Sequence, residues 1–356
     1  MEPSRFNSPI NLTSTTQASL EGKTAIVTGA QAQELTPVSH RPLGASGIGR
    51  AYVQQLHAAR AFVVVGDMNE RLGAELCKEF PGVLFQKCNV TDWNDQLALF
   101  KAASRVSPSA RIDIVVANAG IAKSDAVYAY EGKYDKPLNE PTLLQMQTVS
   151  KHCPRAQRPS RADAAQPRRS GRESRGDNVH HQARNALFRR QYDAESESPS
   201  SRQQTCLVFQ SSIMGYFDQG GAPLYSASKF AVRGLLRSYR RTAWLHGTRV
   251  NCVSPWYVRT PILSQRSIDA MDGSGYGFAE IEDVASAMMH LVTNPEINGR
   301  NFLVVPRHLA PGGIITDGGL DEFEDGTLWA NLQKGALIAT QLLVAQHLKT
   351  AQPVVE

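Results

Sequence analysis

Cysteine is scarce in this chain and nowhere spaced as a ligand pair. Cys77, Cys88, Cys153, Cys206 and Cys252 are scattered, odd in number and free of any C-x-x-C arrangement. That argues against a disulfide framework or structural zinc and for reduced intracellular thiols. Long apolar runs are missing too. No window approaches the roughly 18 consecutive apolar residues of a membrane span. The first 25 residues hold neither an apolar core nor a small-residue cleavage site, so no secretory leader is expected. A cytoplasmic protein without a bound metal follows. Basic charge is also thin over most of the chain, despite a net +5. Residues 151–204 hold eleven arginines and one lysine against six acidic residues. The remainder is slightly acidic, and no nucleic-acid partner is expected for the folded body.

What is present is an alternation of strands and helices. Seven short, β-branched runs recur: Thr24–Val27, Phe62–Gly66, Leu84–Cys88, Ile112–Ala117, Cys206–Gln210, Arg249–Val253 and Phe302–Val305. Continuous apolar runs of this length fit strands buried on both faces of a parallel sheet. Between them Trp93, Leu97, Phe100 and Ala103 repeat at helical spacing, as do Ala227, Ala231, Leu235 and Tyr239. The alternation predicts an α/β fold, a doubly wound seven-stranded parallel sheet of Rossmann type.

Chemistry concentrates at Tyr225-Ser-Ala-Ser-Lys229, with Ser212 thirteen residues upstream. A phenol and an ammonium four residues apart share one face of a helix. A neighbouring cation favours the phenolate and draws a tyrosine from its free pKa of about 10 toward neutrality. Ser212 is then placed to hold a substrate oxygen. Such a set moves a proton on or off an alcohol or carbonyl while a cofactor moves the hydride. Tyr-x-x-x-Lys alone is a common helix surface. The longer string of Ser211-Ser212-Ile213, the glycines 215, 220 and 221, and Tyr225 to Lys229 is more specific.

Glycines supply the second constellation. Thr28-Gly29-Ala30 closes the first strand, and Ala45-Ser46-Gly47-Ile48-Gly49 opens a helix. Glycines there let backbone N–H groups approach a pyrophosphate at the helix N-terminus. Asp67, at the end of the second strand, suits ribose hydroxyls and repels a 2′-phosphate, so NAD is preferred to NADP. Its plainer reading is a strand-end turn residue.

With Val115-Val116-Ala117-Asn118-Ala119-Gly120 and Pro255-Trp-Tyr-Val258-Arg-Thr260 in the same order, the chain resembles the short-chain dehydrogenase/reductase family over roughly 20–310. The sub-group it looks nearest to is the NAD-dependent alcohol dehydrogenases similar to 15-hydroxyprostaglandin dehydrogenase. The resemblance implies catalysis by Ser212, Tyr225 and Lys229. It implies cofactor contacts from Gly29, Ser46, Gly47, Ile48, Gly49, Asp67, Asn89, Val90, Asn118, Ala119, Gly120, Tyr225, Lys229, Pro255, Val258 and Thr260. Asn118 also reads as a strand cap. Asn89, Ala117 and Trp256 depart from the family's usual Asp, Asn and Gly. A small-molecule alcohol or ketone substrate and a homodimer or homotetramer are implied in the same way. Residues 261–280 would form a substrate lid, mobile at glycines 273, 275 and 277.

Two stretches break the pattern. Residues 31–44 separate the phosphate-binding glycines, and deleting them restores Thr-Gly-Ala-Ala-Ser-Gly-Ile-Gly. Near 150–204 the family's further catalytic asparagine is missing, since Ser150 follows Val149. The composition of 151–204 predicts disorder. The clean resumption after each break fits intron sequence carried in frame, or an isoform with that content. A dominant transcript holding both would refute that origin. An arginine-rich arm for nucleic acid or an acidic partner is the alternative for 151–204, against which stand its few aromatics. The organisation expected is a tail over 1–20, a Rossmann-type domain over 21–310 carrying both insertions, and an extension over 311–356. Leu328–Leu348 reads as an amphipathic helix suited to cover a partner subunit or a membrane surface, with packing on its own domain the preferred reading. Two functions stay open: an NAD-dependent oxidoreductase of secondary alcohols or ketones, and a catalytically inactive binding or scaffold module.

Overall fold

The computed structural model describes residues 19–30, 47–120, 205–217, 219, 222–316 and 326–336. Ser46, glycines 220 and 221, and the whole of both inserted stretches lie outside them. The seven apolar runs become strands: β1 Thr24–Thr28, β2 Phe62–Asp67, β3 Leu84–Lys87, β4 Ile114–Ala117, β5 Thr205–Gln210, β6 Thr248–Pro255 and β7 Asn301–Val304. All seven pair in parallel, in the order β3-β2-β1-β4-β5-β6-β7. An eighth, β8 Ile314–Thr316, closes the far edge antiparallel to β7. It lies past residue 310, and a three-residue run is too short to register as a periodic pattern.

Six helices connect and cover the sheet: α1 Ile48–Ala58, α2 Glu70–Glu79, α3 Trp93–Val106, α4 Pro223–Tyr239, α5 Gln265–Gly273 and α6 Ile281–Thr293. Asn69, Asp92 and Ser264 cap α2, α3 and α5 by accepting first-turn amides, the usual work of short polar side chains at that position. On one face, the row Val64–Ile26–Val115–Leu207–Val250 crosses five strands in register. Leu99, Phe100 and Ala103 of α3 and Leu236 of α4 seal it. The buried side of α3 therefore runs through Gln96, Leu99, Phe100 and Ala103. Trp93 is exposed and Leu97 only half-buried, because Gln96 is drawn inward to donate to the Val90 carbonyl at 2.5 Å. On α4 the packed residues are Val232, Leu235, Leu236 and Tyr239, whereas Ala227 and Ala231 are exposed.

The sheet and its helices belong to one compact unit within 11–316, and 326–336 to another. Residues 328–336 are helical, with Leu328, Trp329 and Leu332 exposed. Among the described residues no helix is long and apolar enough to cross a membrane.

Candidate active site

A parallel sheet delivers all its strand ends to one crest, and that crest collects the residues singled out from sequence. Gly29 follows β1, Asp67 ends β2, Asn89 follows β3, Asn118 follows β4, Ser212 follows β5 and Pro255 ends β6. Strand order reverses between β1 and β4, where open α/β sheets leave a ligand crevice.

At that point the glycines are required by space as well as by backbone angle. Gly29 has φ +67°, and a Cβ on it would lie 2.4 Å from the Ala119 Cα. A Cβ on Gly49 would meet the Gly29 carbonyl oxygen at 2.5 Å and Asn118 Nδ2 at 2.6 Å. Gly47, at φ +79°, is the N-cap of α1 and offers its amides no side-chain hydrogen bond, and the first turn of α1 holds no acidic residue. Asn118 binds the cradle together: its Nδ2 donates to the carbonyls of Thr28 at 3.1 Å and Gly29 at 2.7 Å. The Ala119 amide donates to Thr28 Oγ1 at 3.2 Å. Gly29 and Ala30 thus meet Gly49 at the N-terminus of α1, the kind of close-packed backbone cradle a pyrophosphate approaches. Gly120 is exposed beside it.

The ends of β2 and β3 hold themselves locally. Asp67 Oδ1 accepts from the Asn69 amide at 3.0 Å. Asn89 Oδ1 accepts from the amide and hydroxyl of Thr91, and Val90 packs against the core. Between them Cys88 is buried, and desolvation followed by the charges of Asp95, Asp67 and Asp92 pushes its thiol up to about 12. It stays protonated at neutral pH.

The second cluster forms where β5 leaves the sheet. Ser212 caps a short 3-10 turn, Ile213–Gly215, accepting from the Met214 amide at 3.3 Å. Its own hydroxyl donates to the Pro255 carbonyl at 3.4 Å. That turn lies directly on α4. Ser211 Oγ donates to the Lys229 carbonyl at 3.1 Å, and a Cβ on Gly215 would come within 3.0 Å of the same oxygen. Lys229 Nζ lies 5.5 Å from the centre of the Tyr225 ring and donates to the Gln210 carbonyl at 3.5 Å. Tyr225 packs against Ile213, Met214 and Val305. Ser212, Tyr225 and Lys229 are therefore brought to one place. Val258 and Thr260, which follow Pro255 in the chain, are buried, with Val258 bridged to Ala279.

Gln210 and Tyr52 were passed over in the sequence, yet both reach this point. Tyr52, on α1 and fully buried, donates to Gln210 Oε1 at 2.5 Å. Burial raises its phenol well above the usual value, so it remains a donor. A polar Gln closing an apolar strand was the one available signal. Among the described residues no cluster of His, Cys, Asp and Glu is arranged to hold a metal.

A family model described as short chain dehydrogenase matches residues 43–135 and 195–270. The chain is 31% identical over 303 residues to a 5′-hydroxyaverantin dehydrogenase of Dothistroma septosporum, covering 81% of this chain and 86% of that one. It is 30% identical to the 5′-hydroxyaverantin dehydrogenase of Emericella nidulans, with the same coverage. It is 29% identical over 256 residues to (+)-borneol dehydrogenase 1 of Salvia officinalis, covering 72% of this chain and 77% of that one. The crystal structure of 3-hydroxyacyl-CoA dehydrogenase type-2 from Mycobacterium avium shares the fold, with a TM-score of 0.58 at 24% identity. That similarity covers 81% of this chain and 96% of the other.

Proposed function

The chain belongs to the short-chain dehydrogenase family, an oxidoreductase family using a nicotinamide dinucleotide, and from that premise we propose that it interconverts a secondary alcohol and a ketone with NAD. The observation that carries this reading is the meeting of Ser212, Tyr225 and Lys229 at the β5 exit, on the same crest as the Gly29–Gly49 cradle. The relatives named above are dehydrogenases of hydroxyl-bearing compounds, 5′-hydroxyaverantin and (+)-borneol. The dinucleotide would supply the hydride chemistry. Gly29, Ser46, Gly47, Ile48 and Gly49 would hold its pyrophosphate, with Asn118, Ala119 and Gly120 beside it. Asn89 and Val90 would flank the adenine, and Pro255, Val258 and Thr260 the nicotinamide. Asp67, closing β2, would take the ribose hydroxyls, which favours NAD over NADP. Tyr225 would exchange the proton with the substrate oxygen. Lys229 would stabilise the phenolate and bind the ribose, and Ser212 would orient the oxygen. The finer likeness to 15-hydroxyprostaglandin dehydrogenase-like members rests on the motifs alone.

Replacing Tyr225 by Phe removes the proton-transferring group while keeping the ring. Turnover should fall by about a hundredfold or more, with dinucleotide affinity within about threefold of wild type. Absorbance of the reduced nicotinamide and equilibrium dialysis read the two, with NAD and NADP compared in parallel. Undiminished turnover in the variant would remove this mechanism. A second reading, a binding or scaffold module without turnover, draws on residues 31–44 between Ala30 and Ala45, and on Ser150 at the family's asparagine position. A wild-type chain that binds no dinucleotide would favour it.

A further inference from the structure

Trp256 stands where the family's usual residue has no side chain, and its surroundings give it a task. Its amide donates to the Val304 carbonyl at 2.7 Å, so its backbone is fixed by the sheet. The preceding residue, Pro255, carries the carbonyl that accepts from the Ser212 hydroxyl. The indole packs on Ile213, Met214 and Val305, the same three residues against which Tyr225 packs. The indole and the Tyr225 ring therefore share one packing cluster, whose Ile213 and Met214 directly follow Ser212.

The indole N–H is already used. It donates to the Gly277 carbonyl at 3.1 Å, which pins the segment after α5 to the β6 exit. The Ala279 amide adds a second tie by donating to the Tyr257 carbonyl at 2.9 Å. With that N–H engaged, what Trp256 offers the site is a hydrocarbon face. Tyr257 meets it edge-on, ring centres 5.4 Å apart, and Tyr276 lies tilted at 6.4 Å. Tyr276 is 57% exposed, and the glycines on either side of it hold φ of +79° and +66°, angles that bulkier residues resist. The cation next in sequence, Arg259, pairs with Asp272 and lies 4.1 Å over the Phe278 ring. Apart from the Tyr257 hydroxyl, which accepts from Gln219 Nε2 at 3.0 Å, the groups around the indole are apolar and aromatic.

Resting on the dehydrogenase reading above, we propose that Trp256 determines the substrate class: secondary alcohols or ketones whose reacting carbon bears a flat aromatic or polycyclic group. Such a group lies against the indole with Tyr257 and Tyr276 around it. Offset and edge contacts among aromatic rings favour it, and water leaves their faces when it binds. A short aliphatic alcohol leaves those faces wet.

The test compares kcat/KM for 1-(2-naphthyl)ethanol and 2-butanol in the full chain and in Trp256→Gly and Trp256→Phe. Wild type should prefer the naphthyl alcohol. Trp256→Gly should reduce that preference by about tenfold or more, the range that apolar pocket contacts reach. Trp256→Phe, which keeps a ring and loses the N–H, should retain most of it. Equal losses for both alcohols in Trp256→Gly would overturn the proposal. If wild type turns over neither alcohol, the dehydrogenase reading fails on its own, and binding decides the inference. The dissociation constant of 2-acetonaphthone by equilibrium dialysis should then rise about tenfold in Trp256→Gly and little in Trp256→Phe. An unchanged value in both would overturn it. If Trp256→Gly does not fold, Trp256→Ala takes its place, and an unchanged naphthyl preference in it would overturn the proposal.

Discussion

Asn118 shows how a single side chain serves the fold and the crevice together. It sits one residue past β4, and its amide reaches sideways to two carbonyls at the end of β1, Thr28 and Gly29. Thr28 is the last residue of β1, and Gly29 holds a positive φ where the chain leaves the sheet. Without the amide the two carbonyls would be left half-buried and poorly paired. Asn118→Ala should therefore cost about 2 kcal/mol, one modest net contribution for each lost hydrogen bond. Urea unfolding reads this directly. A loss below about 0.5 kcal/mol would show that water replaces the amide without penalty. Asn118 was legible in the sequence because it follows an apolar strand and precedes Ala-Gly. Its two-carbonyl reach was not, since a Rossmann-type strand order places β4 beside β1 but does not say which carbonyls a side chain at the strand end will meet.

Helix α6 depends on a strand for its end. Arg249, in β6, is buried, and its guanidinium donates to the carbonyls of Leu291 at 2.7 Å, Ile297 at 2.7 Å and Val292 at 3.0 Å. The last carbonyls of a helix lack partners within it, and a cation there also opposes the negative end of the helix dipole. One guanidinium fork thus terminates α6, the helix that packs beside α1 and carries the buried Val284, Met288 and Leu291. Arg249→Met fills similar volume but leaves those carbonyls unpaired. A loss of about 3 kcal/mol is expected, near the cost of leaving buried polar groups unsatisfied. Arg249→Lys should recover only part of it, because one ammonium cannot span three acceptors in a plane. Equal stability of Arg249→Met and wild type in urea would refute the capping role. This device was not legible: an arginine opening an apolar run reads as a strand-edge charge until the helix is placed behind it. The same limit applies to α3. Its period was visible, but the inward turn of Gln96 rotated the buried face by a fraction of a turn. The strands were the easiest to read, because β-branched runs buried on both faces carry their own signature.

At the scale of the whole molecule, the cradle is assembled although its sequence is interrupted. Gly49 packs against the Gly29 carbonyl and the Ala30 Cα, so close that a Cβ there would sit 2.5 and 2.7 Å from them. The sheet brings the two halves together from both sides: β1 fixes Gly29 through its amide bond to the Gly66 carbonyl, and α1 fixes Gly49. Residues 31–44 therefore need not hold the halves in place, since packing elsewhere already does so. We expect their effect at the N-terminus of α1, on the amides a pyrophosphate would use. Closing a longer loop costs little in stability, on the order of 1 kcal/mol for this change in length, whereas displaced amides act directly on affinity. A chain in which Ala45 follows Ala30 should thus unfold at nearly the same urea concentration as the full chain. It should bind NADH at least about tenfold more tightly, as pre-organised anion contacts do. Equilibrium dialysis of the two purified proteins settles the matter. Equal affinities would mean that the amides already face the crevice with 31–44 present, and that the interruption is no obstacle to dehydrogenase activity. Tighter binding by the shortened chain would make residues 31–44 the restraint on an otherwise complete dinucleotide site.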